Sequence, residues 1–343
     1  ASANLRAERL ECYYEPVQQL PQVLLMALLA SAWATGQGTT PATAKTSTER
    51  DEADRTVRYG DQKVAARLFE RSWDPADPRP TCKLFHQIYA PDGTLLTKGL
   101  GGQFEHHRGL FVGWNRTLHK GKSYDFWHCN RGERQELRGT VAPARLQMHE
   151  AAQVMRTRWV APDGTGIIEE LRGLEVIAHQ EDHYVLHMRV ECRALDGEVK
   201  LSGDPQHAGQ QFRALQQFAE KDAEPVLYLR PKGAKEHGND VWTKCDWIAG
   251  VLRLPNETYT VLRIESPDNP GETTWSTRPY GRFGATRTVK VPSGEAMRID
   301  QYYVIAQGAR DAAWCAKQAA TWRLWRGHKQ PDKAKPTPAK RGE

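Results

Sequence analysis

The segment His183 to Cys192, HYVLHMRVEC, alternates apolar with polar side chains at period two. Successive side chains of an extended chain point to opposite faces, so this run reads as a strand with one face in a core and the other toward solvent or a cleft. The same alternation recurs in Thr258 to Ser266 (TYTVLRIES) and in Glu295 to Ala306 (EAMRIDQYYVIA). Shorter strand-like runs end in turn signals: KLFHQIY (residues 83–89) precedes APDGT, and TRWV (residues 157–160) precedes APDGTG. Each reads as a hairpin. No segment before residue 309 carries a helical period of useful length. Strands without intervening helices predict an all-β fold, a large antiparallel β-sandwich, and argue against a doubly wound parallel sheet. The exception is Ala309 to Arg326 (ARDAAWCAKQAATWRLWR), where Ala312, Cys315, Ala316, Ala319, Trp322 and Trp325 recur at helical spacing. That stripe predicts one C-terminal helix, 309–326, docked on the sandwich.

Working outward, residues 55–326 read as a single β-sandwich domain of a 343-residue chain. The run Leu20 to Ala34 (LPQVLLMALLASAWA) is shorter than the roughly 20 residues a membrane span needs but matches a signal-peptide core. Ala32-Trp33-Ala34 then offers a small-x-small cleavage site. No Lys or Arg lies close before the run, and a short buried helix is the competing reading. On this basis residues 1–34 are expected to be a signal region and the protein exported, to periplasm or beyond, with no membrane span in the mature chain. Residues 35–54 are small and polar, as in a disordered linker.

The net charge of +6 is not clustered in the domain; the tail 327–343 carries five basic against two acidic residues and is expected to be disordered. Nucleic-acid binding has little support from such a distribution. Six widely spaced cysteines with no CxxC pair argue against a zinc knuckle and a dense disulfide framework. Export would leave room for one or two long-range disulfides.

Four polar clusters carry candidate chemistry. Glu105-His106-His107-Arg108-Gly109 opens the apolar run LFVGW. If extended, His106 and His107 face opposite sides; if looped, both converge. In Tyr124-Asp125-Phe126-Trp127-His128, a strand would put Asp125 and Trp127 on one face and His128 on the other. A carboxylate beside an indole suits a sugar, accepting hydroxyl hydrogen bonds while the ring packs on the sugar's apolar side. In GDPQHAGQQFR (residues 203–213), His207, Gln211 and Arg213 share parity and Phe212 faces the core. The fourth, Ser266-Pro267-Asp268-Asn269-Pro270 continuing to Trp275, Arg278, Tyr280, Arg282 and Phe283, reads as a long loop of the kind that holds binding residues. Each cluster also has a purely structural reading, as core aromatics, turn caps or a solvated sheet face.

Taken in order, EHHRGLFVGW, YDFWH, GDPQHAGQQFR and SPDNP…TWSTRPYGRFG resemble the bacterial family commonly labelled methane oxygenase PmoA, over roughly residues 60–325. That family shows His-Pro-His-His-Arg-Gly where this chain has Gln103-Phe104-Glu105 before the pair, so the first of three histidines is missing. Methane oxidation does not follow from the label, because a membrane monooxygenase subunit spans the bilayer several times and no span-length segment follows residue 34. What the resemblance implies is a galactose-mutarotase-like supersandwich in exported proteins of polysaccharide-degrading bacteria, by analogy of fold.

Three functions are expected from these residues. The first is an exported carbohydrate-active protein, a hydrolase, lyase or epimerase if an enzyme, in which His107 or His207 is the acid and Asp125 or Asp268 the base. There His106, Arg108, Gln211, Arg213 and Asn269 would bind a saccharide or other small molecule, and Trp127, Trp275 and Tyr280 would stack on it. The second is a metal-dependent oxidoreductase or lyase, with a single divalent ion (Fe, Mn or Zn) on ligands drawn from His106, His107, His128 and His207 and with Asp125 in support. The third is a non-catalytic glycan-binding module.

Overall fold

The computed structural model describes residues 55–325. The signal region, the linker and the tail expected from the sequence lie outside the described residues. Every strand pairing among the described residues is antiparallel, in three sheets. Nine strands form one sheet in the order Thr56–Tyr59, Lys63–Phe69, Phe85–Ile88, Leu110–Trp114, Ala208–Arg213, Arg282–Thr286, Thr274–Arg278, Val241–Thr243 and Lys235–Glu236. Eight form the second: Leu227–Leu229, Trp247–Arg253, Thr258–Glu265, Ala296–Gln307, His183–Ala194, Gly166–His179, Gln153–Val160 and Arg134–Thr140. A four-stranded sheet, Val289–Val291, Val199–Ser202, Arg116–His119 and Lys122–Tyr124, completes the fold. The predicted all-β sandwich is therefore what forms.

The period-two alternation sets which face packs. Tyr184, Leu186, Met188, Val190 and Cys192 enter one core with Val112, Trp114, Phe212 and Phe283 of the nine-stranded sheet and Val199 and Leu201 of the small one. Burying one such side chain contributes roughly 1.5–3 kcal/mol, which is why register is held so firmly. Both APDGT turns form alike: Ala90 N–H donates to Thr94 O and Ala161 N–H to Thr165 O, with Gly93 and Gly164 at positive φ. The first returns only to an isolated Tyr89–Leu95 bridge, whereas the second joins two full strands.

The C-terminal helix spans Ala312–Trp322, shorter than expected, and Asp311 caps it by accepting from Trp314 N–H. Cys315 and Ala319 are buried against Val185, Leu262 and Tyr302, while Ala312 and Ala316 of the expected stripe are exposed. A single row of contact on a sheet buries a narrower line than a stripe read by spacing. Short helical turns at Pro78–Thr81, Pro143–Leu146 and Gln216–Ala219 are too brief to show as a period. Among the described residues, Cys82, Cys129, Cys192, Cys245 and Cys315 are all thiols, the first three and the last buried. No helix among the described residues is long and apolar enough to cross a membrane.

Candidate metal centre

The outward face of the nine-stranded sheet carries Phe111, Gln211, Arg213, Ser276 and Arg282, and loops 100–109, 125–131 and 203–207 lie over it. Phe212 points the other way, into the core, as its parity predicts. Gly109 delivers the first loop to its strand. At φ 47°, its N–H donates to Lys98 O, and an added Cβ would sit 2.2 Å from the His86 carbonyl oxygen. Only glycine tolerates both the conformation and the approach.

Three imidazoles meet above this face. His106, His128 and His207 each offer a ring nitrogen, and these atoms lie within 4.8 Å of one another. Ring centroids are 4.6 Å apart for His106 and His128 and 5.0 Å for His128 and His207. Two of the three are oriented by the same local device. Asp125 Oδ1 accepts from Trp127 and His128 N–H, and its Oδ2 accepts from His128 Nδ1 at 2.8 Å. Asp204 Oδ1 accepts from Gln206 N–H and from His207 Nδ1, the latter also at 2.8 Å. In each, a carboxylate three residues upstream fixes the ring and leaves Nε2 as the free donor atom, the arrangement that orients metal-bound histidines.

Burial, then the nearby charge of Lys83, pushes His106 down to about 2, and burial likewise holds His207 below its ordinary value. These rings are lone-pair donors at neutral pH. Burial raises the Asp125 and Asp204 carboxyls, but the hydrogen bonds and charge of His128 and His207 outweigh it and hold both below the usual range. Three imidazoles, two of them held by carboxylates, are a donor set for Zn, Fe or Mn.

His107 does not join the trio, although its ring is 4.1 Å from that of His106. It is buried against Trp127 and Tyr280, and neither ring nitrogen has a hydrogen-bond partner. Burial and the charge of His106 hold it well below its ordinary value. Arg108 donates Nε to Glu105 O and Nη2 to Arg79 O. Arg213 donates to Tyr280 O and lies over that ring, and Gln211 Oε1 accepts from Arg282.

Several placements differ from expectation. Residues 125–128 form a turn, not a strand, because Asp125 caps it, so Asp125 pairs with His128 and not with Trp127. Trp127 and Trp275 are fully buried, the first against Phe85 and Phe111 and the second in the main core over Arg263, so neither presents a ring face to a ligand. The supposed loop after residue 270 is a hairpin of Thr274–Arg278 and Arg282–Thr286 with Tyr280 at its turn. Asp268 and Asn269 belong to another cluster: Asn269 bonds Glu265 and the Asp300 backbone, and Asp268 lines a small cavity with Arg189, Arg298 and Trp325.

Sequence reasoning overlooked Asp204, Phe104, Arg79 and Lys83. The repeated Asp-x-x-His spacing, DFWH and DPQH, was the available signal for Asp204. Phe104, 37% exposed, stacks on Tyr280 at 4.6 Å and makes an aromatic rim beside the histidines.

A family model described as DUF6807, a family of unknown function, matches residues 55–320; it carries no methane-oxygenase label. No curated protein matches the sequence. Among solved structures, one titled "Putative kojibiose phosphorylase from human microbiome" is similar at 8% identity and a TM-score of 0.36, covering 81% of this chain and 34% of its own. The chain thus spans about a third of that protein, and a likeness so slight carries no argument about ligand or reaction.

Proposed function

The chain belongs to the DUF6807 family, and from that premise we propose that it is a metal-dependent protein acting on a small, oxygen-rich molecule. One observation carries this reading: three ring nitrogens within 4.8 Å of each other, two of them on rings whose Nδ1 is held by a carboxylate. His106, His128 and His207 would hold one divalent ion, which when bound supplies a Lewis acid at a substrate oxygen. Asp125 and Asp204 keep the two rings aimed and basic. Phe104 and Tyr280 offer the apolar face of a ring-shaped substrate a place to rest, and a saccharide is the class that fits such a rim. Of the acids and bases expected, His107 or His207 with Asp125 or Asp268, Asp268 loses ground because it sits in a separate cluster, and Asp125 and His207 are taken up here in holding and forming the metal site.

The test is metal content. Protein purified without chelator and dialysed against Zn, Mn or Fe(II) is expected to retain about one equivalent, and His128→Ala or His207→Ala less than about a tenth. Wild-type protein that retains none at micromolar metal would remove the proposal.

A further inference from the structure

Six cations surround the three histidines: Arg79, Lys83, Lys98, Arg108, Arg213 and Arg282. Five are buried, with exposures of 0–3%, and Arg79 stands exposed at the rim. None forms an ion pair with a carboxylate among the described residues. Their donors go to neutral acceptors. Lys83 Nζ reaches Trp127 O; Lys98 Nζ reaches His107 O at 3.3 Å; Arg79 Nη1 reaches His128 O at 3.1 Å. Arg282 bonds the side-chain oxygens of Gln211, Ser276 and Gln206. Glu105 acts on Lys98 only from a distance, as do Cys129, Cys82 and Asp125 on Lys83, and the bond to Cys129 with the charge of Lys83, Arg108 and Arg79 pulls the buried Cys82 thiol down. The two carboxylates nearest the histidines, Asp125 and Asp204, are already engaged by ring N–H groups.

This is unlike the rest of the interior, where buried Arg172, Arg263 and Arg287 each meet a glutamate. Buried charge is costly unless paired, and a bound divalent ion would add to the excess. Polar atoms are also left over in the same place: both nitrogens of His107, one of them a donor in the neutral ring, and the donors Trp127 Nε1, Arg108 Nη1 and Arg213 Nη2 are buried without a hydrogen-bond partner. A wall that is rich in donors, and whose cations have no carboxylate partner, calls for a ligand that is rich in acceptors and negative.

We infer that the ligand of this centre is an anion, a small molecule bearing a carboxylate or phosphate group, which sits beside the histidines with its oxyanion on Arg79 over the buried Lys83. The inference refines the metal reading and shares its location but not its test. The oxyanion supplies acceptors for guanidinium and indole N–H groups, and charge-assisted bonds of this kind are about twice as strong as neutral ones.

The experiment titrates malonate, inorganic phosphate and the neutral match malonamide into chelator-treated and metal-loaded protein at one ionic strength, following binding calorimetrically. Malonate or phosphate should bind at least tenfold more tightly than malonamide in both forms. Binding of malonate alone would assign a carboxylate, and of phosphate alone a phosphate ester. Arg79→Gln, at an exposed position, and Lys83→Met, which keeps the buried stem, should each weaken the anion at least threefold without altering malonamide. Equal affinity for all three probes, no binding, or an anion preference untouched by both substitutions would overturn the inference. Metal stoichiometry on the same samples separates the two ideas: anion preference without metal uptake removes only the metal reading, and metal uptake without anion preference removes only this one.

Discussion

Between the sheets, Arg172 is held by Glu170 at 2.6 and 3.1 Å, and Glu265 is shared by Arg263 and Arg287. On the far side of the nine-stranded sheet, Lys83, Arg108, Arg213 and Arg282 are as deeply buried and find only carbonyl, amide and hydroxyl oxygens. Each arginine of the first group meets a carboxylate supplied by the fold. The second meets no carboxylate, and the three-histidine centre lies over it. A buried cation paired within the protein bears on stability, whereas one left to neutral acceptors is available to whatever binds.

Substitution should expose this difference most strongly at Glu265. Glu265→Gln strips two buried arginines of their counter-charge and is expected to cost about 3–5 kcal/mol, while Lys83→Met, which removes a cation that has no carboxylate partner, should cost less than about 1 kcal/mol or stabilise. Urea unfolding of both variants decides it, and comparable losses would erase the contrast between the two faces.

A smaller effect comes from the imidazoles, which both faces keep neutral. Burial and the charge of Arg172 lower interior His86 to about 3; burial and Lys83 lower His106 to about 2. The unfolded chain takes up these protons near pH 6.5 and the native state does not. Stability is therefore fully present above that pH and is lost as pH falls toward the native values, by up to about 1.4 kcal/mol per unit for each group. Metal-free protein unfolded at pH 7, 6 and 5 should show this decline; stability that is level or rising toward pH 5 would mean the rings are charged in the native state.

The smallest effect is a reference remote from either group. Asp311→Ala removes the cap of the Ala312–Trp322 helix and should cost about 1 kcal/mol, the ordinary worth of an N-cap. A loss in Lys83→Met larger than this one would show that the outward cations are structural.

The Asp-x-x-His repeat is local, three residues of turn bringing Asp125 to His128 and Asp204 to His207, yet reading residues 124–128 as a strand set Asp125 and His128 on opposite faces and left Asp204 unnoticed. His106 and Tyr280 were readable as site residues. Their neighbours Trp127 and Trp275 were not separable from them, because an indole is equally at home in a core and in a cleft and only packing assigns it. Asp268 and Asn269 looked equivalent to Asp125 in composition, yet a strand order that places Thr258–Glu265 in the other sheet carries them to a different cluster.

What the sequence determined by itself was the sandwich, since period-two alternation fixes which side of each strand is apolar and therefore which side must be covered. It also carries the two Asp-x-x-His spacings, whose bonds span three residues, although a strand through residues 124–128 would have kept Asp125 and His128 apart. The tertiary structure alone decided that loops around residues 106, 128 and 207 converge, that His107 stays outside their circle, and that six cations gather there without carboxylate partners. Convergence depends on strand order and burial, which arise from contacts among segments a hundred residues apart that no local pattern encodes.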